Sequence, residues 1–164
     1  MFPTRTLKLA ELLLADCKAD GLRIATAESC TGGLVMGCLT AVAGSSFVVD
    51  RGFITYSNDA KRDLLGVPGD LIADMGAVSE PVARMMAEGA VENSNAHLAV
   101  SVTGIAGPGG GTPMKPVGTV HIAAARERMP ILHEEHHFGD IGREEIRLEA
   151  VYAALDLLYR HVAR

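Results

Sequence analysis

Tryptophan is absent from this chain and other aromatics are scarce: Phe, Trp and Tyr together make up 4% of it. A platform of rings for stacking nucleobases is therefore not expected. Cysteine is nearly as rare. The three, Cys17, Cys30 and Cys38, are odd in number and lack the paired spacing of a zinc site. They suit a reducing, cytoplasmic setting better than a disulfide framework. Positive charge is not in excess, since 15 Lys and Arg against 20 Asp and Glu give a net charge of −5. Coating nucleic acid or an anionic membrane needs clustered cations, so neither partner is expected. A small anionic ligand stays open, because only local charge matters to it. No apolar run approaches the ~20 residues of a membrane span. Residues 12–15 are too short an apolar run for a signal peptide, and Glu11 and Asp16 flank them. Internal repeats, low-complexity tracts and linkers are missing too, so residues 1–164 read as one domain.

What is present is a globular composition, 48% hydrophobic and 21% charged. Residues 4–20 place Leu9, Leu12, Leu13 and Cys17 on one stripe closed by Gly21, which predicts a helix. Residues 22–27 read as a strand and 32–43 as a helix of small and apolar residues. Residues 47–57 read as a strand, with Gly52 as a bulge position. A short helix over 58–65 is capped by Asn58, another covers 68–75, and a longer one covers 79–93 with Ser79 as cap and Pro81 in its first turn. Residues 98–102 and 119–125 are strands. Residues 131–138 carry charge at alternate positions, as an edge strand does. The last helix, 143–161, is apolar on two sides, so it is either well buried or half in a subunit interface. Helices alternating with strands imply an α/β fold, a three-layer α/β/α sandwich with about five strands.

Two stretches concentrate chemistry. Residues 26–33, Thr-Ala-Glu-Ser-Cys-Thr-Gly-Gly, lie at a strand-to-helix turn. Ser29 or Cys30 there is a candidate nucleophile beside the free N–H groups of a helix start. Gly32 and Gly33 permit close backbone approach; taken alone, Ser29 would be an ordinary helix cap. A serine needs a base. There is no Gly-x-Ser-x-Gly, and His97 and His121 fall at or in strands, where they read as structural. Lys61 remains. In a parallel sheet the strand ends converge on the ligand-binding edge, which brings residues 56–61 toward Ser29. Serine–lysine pairs are a variant of nucleophile–base logic, although Lys61 alone would be a solvated helix lysine.

The second stretch, residues 103–111, also follows a strand. Its glycines could cradle a phosphate, and Pro108, Pro113 and Pro116 argue against plain flexibility. Arg143 and Arg147, one turn apart, could grip a phosphate or carboxylate, or pair on the surface with Glu144, Glu145 and Glu149. His133-Glu134-Glu135-His136-His137 spells a zinc motif. On a strand, His133 and His137 would stand roughly 13 Å apart at about 3.3 Å per residue, so no metal site is expected.

Ala-Glu-Ser-Cys-Thr-Gly-Gly at 27–33, Ala-Gly-Ser-Ser at 43–46, Gly-Phe-Ile-Thr-Tyr-Ser-Asn at 52–58 with Lys61, Gly-Ala-Val-Ser-Glu at 76–80, Thr-Gly-Ile-Ala-Gly-Pro-Gly-Gly at 103–110 and Lys-Pro-Val-Gly-Thr at 115–119 occur in this order. Together they resemble the C-terminal domain of the competence-damage-inducible CinA proteins, over nearly the whole chain. The resemblance implies a mixed, mostly parallel sheet between helices. It implies a nicotinamide-nucleotide amidase, which hydrolyses nicotinamide mononucleotide to nicotinate mononucleotide and ammonia in NAD recycling. It implies Ser29, Tyr56 and Lys61 as the catalytic group, with Ser46, Thr103 and an arginine of the last helix at the substrate. Cys30, Thr31, Gly32, Gly33, Gly104 and Gly107 join the expected binding surface, with the phosphate near Ser45 and Ser46. Amides of the Gly32–Gly33 turn or of Thr103 and Gly104 would hold the oxyanion. Neither a metal nor a cofactor is called for.

Long CinA proteins carry an N-terminal pyrophosphatase domain, for which 164 residues leave no room, so that activity is not expected. The family usually has Gly-Asp-Arg before the last helix. Here Gly139-Asp140 is followed by Ile141-Gly142 before Arg143, which leaves open whether Arg143 or Arg147 meets the phosphate. Glu28 is expected to be structural, the alternative being that it sets the charge of Lys61. The same loops would also serve a non-catalytic module that senses pyridine nucleotides, and the last helix would serve a dimerising partner domain. A homo-oligomer is expected.

Overall fold

Helices and strands fall within a few residues of where the apolar periods predict, alternating at first and then coming as three consecutive helices and three consecutive strands. The computed structural model describes residues 1–163. They form α1 (Thr4–Asp20), β1 (Ile24–Glu28), α2 (Leu34–Thr40), β2 (Val49–Ile54), α3 (Asn58–Leu65), α4 (Gly69–Met75), α5 (Glu80–Glu92), β3 (Leu98–Gly104), β4 (Thr119–Arg126), β5 (Leu132–His137) and α6 (Arg143–Val162). The sheet order is β2-β1-β3-β4-β5. β1 pairs in parallel with β2 and β3, while β4 runs antiparallel to both β3 and β5. Only β4 opposes the other strands, so the sheet is mixed and mostly parallel. No helix among the described residues is long and apolar enough to cross a membrane.

Residue parity sorts the three layers. Ile24, Leu98, Val100, Val102, Ile122 and Ala124 face one side, where they pack on α1, α2 and α6. Residues of the opposite parity face α3, α4 and α5, and they are small: Ala25, Ala27, Ala99 and Ala123. With Ala83, Ala87 and Ala90 on the facing helix, α5 lies close enough for the Ser101 hydroxyl to donate to the Ala83 carbonyl at 2.6 Å. The two-sided apolar pattern of α6 has its explanation in burial. Ile146, Ala150, Val151, Ala154, Leu155 and Leu158 are all fully covered within the single chain.

Three local expectations are corrected. Ser45–Phe47 is a 3₁₀ turn, and the strand after it starts only at Val49. The irregularity in β2 sits at Asp50, because Ile24 pairs with Val49 while Ala25 pairs with Arg51. Gly52 serves clearance instead: a Cβ there would lie 2.8 Å from Thr26 Oγ1. Helix α3 is capped by Ser57, whose hydroxyl accepts from the Ala60 amide at 3.0 Å, and Asn58 is its first residue. The histidine-rich segment is an extended edge strand, β5, not a helix.

Candidate active site

β1, β2 and β3 run the same way, so the segments that follow them gather at one edge of the sheet. Ser29 follows β1 at once, its amide donating to the Val102 carbonyl of β3 at 2.9 Å. The turn after it holds Gly32 at φ 55° and Gly33 at φ 103°, left-handed values that suit glycine. Glu28, fully buried, fastens this turn from within. One carboxylate oxygen accepts from the Thr31 hydroxyl at 2.7 Å and the Val35 amide at 2.8 Å, the other from the Met36 amide at 3.1 Å and the Thr26 hydroxyl at 3.2 Å. Glu28 thus satisfies two open amides of α2, as a carboxylate at a helix N-terminus does. It is structural, and its hydrogen bonds do not run to Lys61.

α3 presents Lys61 and Leu65, one turn apart, to the interior. A leucine there is ordinary; a lysine only 1% exposed is not. The Lys61 Nζ lies 3.0 Å from Ser29 Oγ, 2.9 Å from the Thr55 carbonyl and 3.3 Å from the Tyr56 carbonyl. No carboxylate among the described residues forms an ion pair with it. Burial pushes its pKa below the ordinary 10.5, against a smaller upward pull from the charge of Cys30 when that thiol is ionised. Either protonation state fits the three partners. An ammonium donates to all of them. A neutral amine donates to the two carbonyls and turns its lone pair to the Ser29 hydroxyl.

Cys30 is different. Burial pushes its thiol up to about 12, so the thiolate needed for attack is scarce at neutral pH. Tyr56 contributes its carbonyl to Lys61, but its side chain is exposed, and the phenol oxygen accepts from Arg143 at 3.2 Å. Arg143 also donates to the Gly107 carbonyl at 2.7 Å. These groups surround a cavity of about 290 Å³, near the lower end of the range for small-ligand pockets. Ser29, Cys30, Tyr56, Lys61, Thr103, Gly104, Gly107 and Arg143 are among the residues that line it. The Thr103 hydroxyl is spent on the Ala77 carbonyl at 2.9 Å, which fixes the α4–α5 connection as part of the wall. A larger recess, about 570 Å³, lies beyond Gly109 and Gly110 around His137 and Asp140, away from Ser29.

Several expected site residues stand elsewhere. Ser45 and Ser46 lie at the far end of the sheet. α2 carries the chain back across it before parallel β2 can start, and Val48 already bonds Ile24 at the beginning of β1. The four residue steps of β1 alone put roughly 13 Å between the two ends, at about 3.3 Å per residue. Thr31, Gly32 and Gly33 shape the turn without lining the cavity, and the Gly32 amide is bonded to the Ser29 carbonyl at 3.0 Å, so it is not an oxyanion donor. Arg147 also stays out of the cavity, donating to the Cys30 carbonyl at 3.0 Å and the Thr31 carbonyl at 3.3 Å. Residues that sequence reasoning gave no part in the site include Asn58, Ala77 and Val78 in the wall. The Thr55 carbonyl is another, and a backbone acceptor leaves no mark on residue type. His97 is structural, accepting from the Arg23 amide at 2.9 Å, and His121 stacks on His133.

Residues 6–162 match the CinA C-terminal domain family. A CinA-like protein from Anaeromyxobacter sp. (strain K) is 52% identical over 151 residues, covering 92% of this chain and 36% of its own length. Another, from Syntrophobacter fumaroxidans, is 54% identical over 140 residues, 85% of this chain and 32% of its own. The chain spans about a third of the length of these relatives. Among solved structures, the competence/damage inducible protein CihA from Agrobacterium tumefaciens superposes with a TM-score of 0.97 at 52% identity, covering 100% of this chain and 99% of that one. The competence damage-inducible protein A from Klebsiella pneumoniae subsp. pneumoniae gives 0.91 at 34% identity, with 97% and 98% covered. Motif order and fold agree with these comparisons: the chain belongs to the CinA C-terminal domain family.

Proposed function

We propose that this protein hydrolyses the carboxamide of nicotinamide mononucleotide, with Ser29 as nucleophile and Lys61 as base. The observation that carries the reading is the buried Lys61 amine, 3.0 Å from Ser29 Oγ and without a carboxylate partner. A lysine kept only for stability would be paired or solvated; one that must be neutral near physiological pH is desolvated. Neutral Lys61 takes the Ser29 proton as Oγ attacks the carboxamide carbon. Backbone amides at the cavity wall would hold the oxyanion, from Cys30 directly after the nucleophile or from Gly104, Ala106 or Gly107. One such donor is typically worth about 3 kcal/mol in the transition state. The ammonium of Lys61 then protonates the leaving nitrogen, and ammonia departs. Water, deprotonated by the regenerated amine, releases the acid from Ser29. Arg143, at the cavity, is the cation for the 5′-phosphate, and Tyr56 orients it.

The reading is tested by ammonia release from nicotinamide mononucleotide. Ser29→Ala should abolish turnover, while Cys30→Ala, which removes a thiol held near 12, should keep most of it. Full activity in Ser29→Ala, or its loss in Cys30→Ala, would place the chemistry elsewhere.

A further inference from the structure

Arg147 was a candidate for gripping the substrate phosphate, but its contacts lead elsewhere. Its Nε and Nη2 donate to two consecutive carbonyls, Cys30 and Thr31, in the turn that carries Ser29. Its guanidinium also closes over Gly32, where a Cβ would sit 3.4 Å from Nη2. The opposite side of the same turn is held by Glu28, through the Thr31 hydroxyl and the Val35 and Met36 amides. We propose that Arg147 and Glu28 form a two-sided clamp on the nucleophile turn, Arg147 taking its carbonyls and Glu28 its donors, and that Arg147 is a positioning residue rather than a phosphate ligand.

The turn needs such a clamp. Two adjacent glycines in left-handed conformations bring no side chains of their own to brace the turn, so what holds it must come from other residues. Ser29 must stay within hydrogen-bond reach of a lysine that is itself pinned by two carbonyls. Arginine suits the task because its planar fork sets its donors in a fixed geometry and so holds both carbonyls in one orientation, where the donors of a lysine rotate. Arg143, one turn earlier on α6, points to Tyr56 and Gly107 instead. One helix face thus supplies one guanidinium to the cavity and one to the nucleophile's backbone.

The kinetic arm of the test rests on the amidase reading; a second arm does not. Arg147→Lys and Arg147→Met are compared with the intact protein in ammonia release from nicotinamide mononucleotide and in hydrogen exchange of the amides of residues 30–34. The clamp predicts that kcat falls by as much as about 10²-fold, the scale of a misplaced catalytic group, with KM changed little and faster exchange confined to the turn. Lysine should recover part of both. If KM rises while kcat and exchange stay unchanged, Arg147 is a phosphate ligand and the proposal is overturned. If the intact protein releases no ammonia, the amidase reading falls while exchange still decides the clamp: unchanged protection of residues 30–34 in a folded Arg147→Met would refute it. Should Arg147→Met not fold, the lysine variant carries the same comparison.

Discussion

At the scale of single residues the protein turns on one lysine in an expensive place. Desolvation opposes the charged form of Lys61, and no carboxylate among the described residues pairs with it. This has a thermodynamic signature. The folded-state pKa lies below the unfolded 10.5, so between the two values the unfolded chain binds more protons than the folded one. Stability therefore rises with pH across that window and falls as pH drops through it, the full cost of burying the ammonium being present below the folded pKa. Melting temperatures of the intact protein and of Lys61→Met, followed from neutral pH toward 10.5, should show the intact protein gaining on the variant. A gap that stays constant, or widens against the intact protein, would mean that Lys61 is not desolvated. The same residue shows where sequence reasoning ran short. Its partners at the base of the site are the Thr55 and Tyr56 carbonyls, so residue type alone favoured a solvated lysine. The clue was its spacing, four residues before Leu65 on the stripe that α3 buries.

At the scale of elements, α3 is held against α5, and that contact reaches the site. Gly89 faces the Leu65 carbonyl, so close that an added Cβ would overlap it. In a helix interior Gly→Ala ordinarily helps by about 0.5–1 kcal/mol. Here the sign should reverse, with a loss of about 1–3 kcal/mol as α3 is pushed from α5. Because Lys61 is one turn before Leu65, turnover should fall with stability, even though Gly89 is not among the residues lining the cavity. Thermal melts and ammonia release on Gly89→Ala check both; a stabilised, fully active variant would contradict this packing. Elements were the most legible level. Apolar periods placed the helices and strands within a few residues, and most errors fell where local chemistry overrides period. The Ser57 hydroxyl displaced Asn58 as cap, a 3₁₀ turn took Phe47, the first residue of the predicted second strand, and Asp50 rather than Gly52 broke its register.

At the scale of the whole molecule, strand direction decides which residues can act together. Parallel β1 and β2 bring the ends of both strands to one edge, and so join Ser29 with residues 55–61 across the sheet. The same rule removes Ser45 and Ser46, which precede β2 and therefore stand at the other end. Motif order could suggest that all these segments belong to one site, but only topology tells which end of a strand a motif occupies. Arg143 and Arg147 show the same limit on α6. Spacing made them a pair, while the neighbouring loops gave them different work. The measurement that bears most directly on the account is ammonia release from saturating nicotinamide mononucleotide by the intact protein and by Lys61→Met. If Lys61 takes the Ser29 proton, the variant loses roughly 10²–10⁴-fold in turnover, the usual worth of a general base. A folded Lys61→Met that turns over at the intact protein's rate would contradict it.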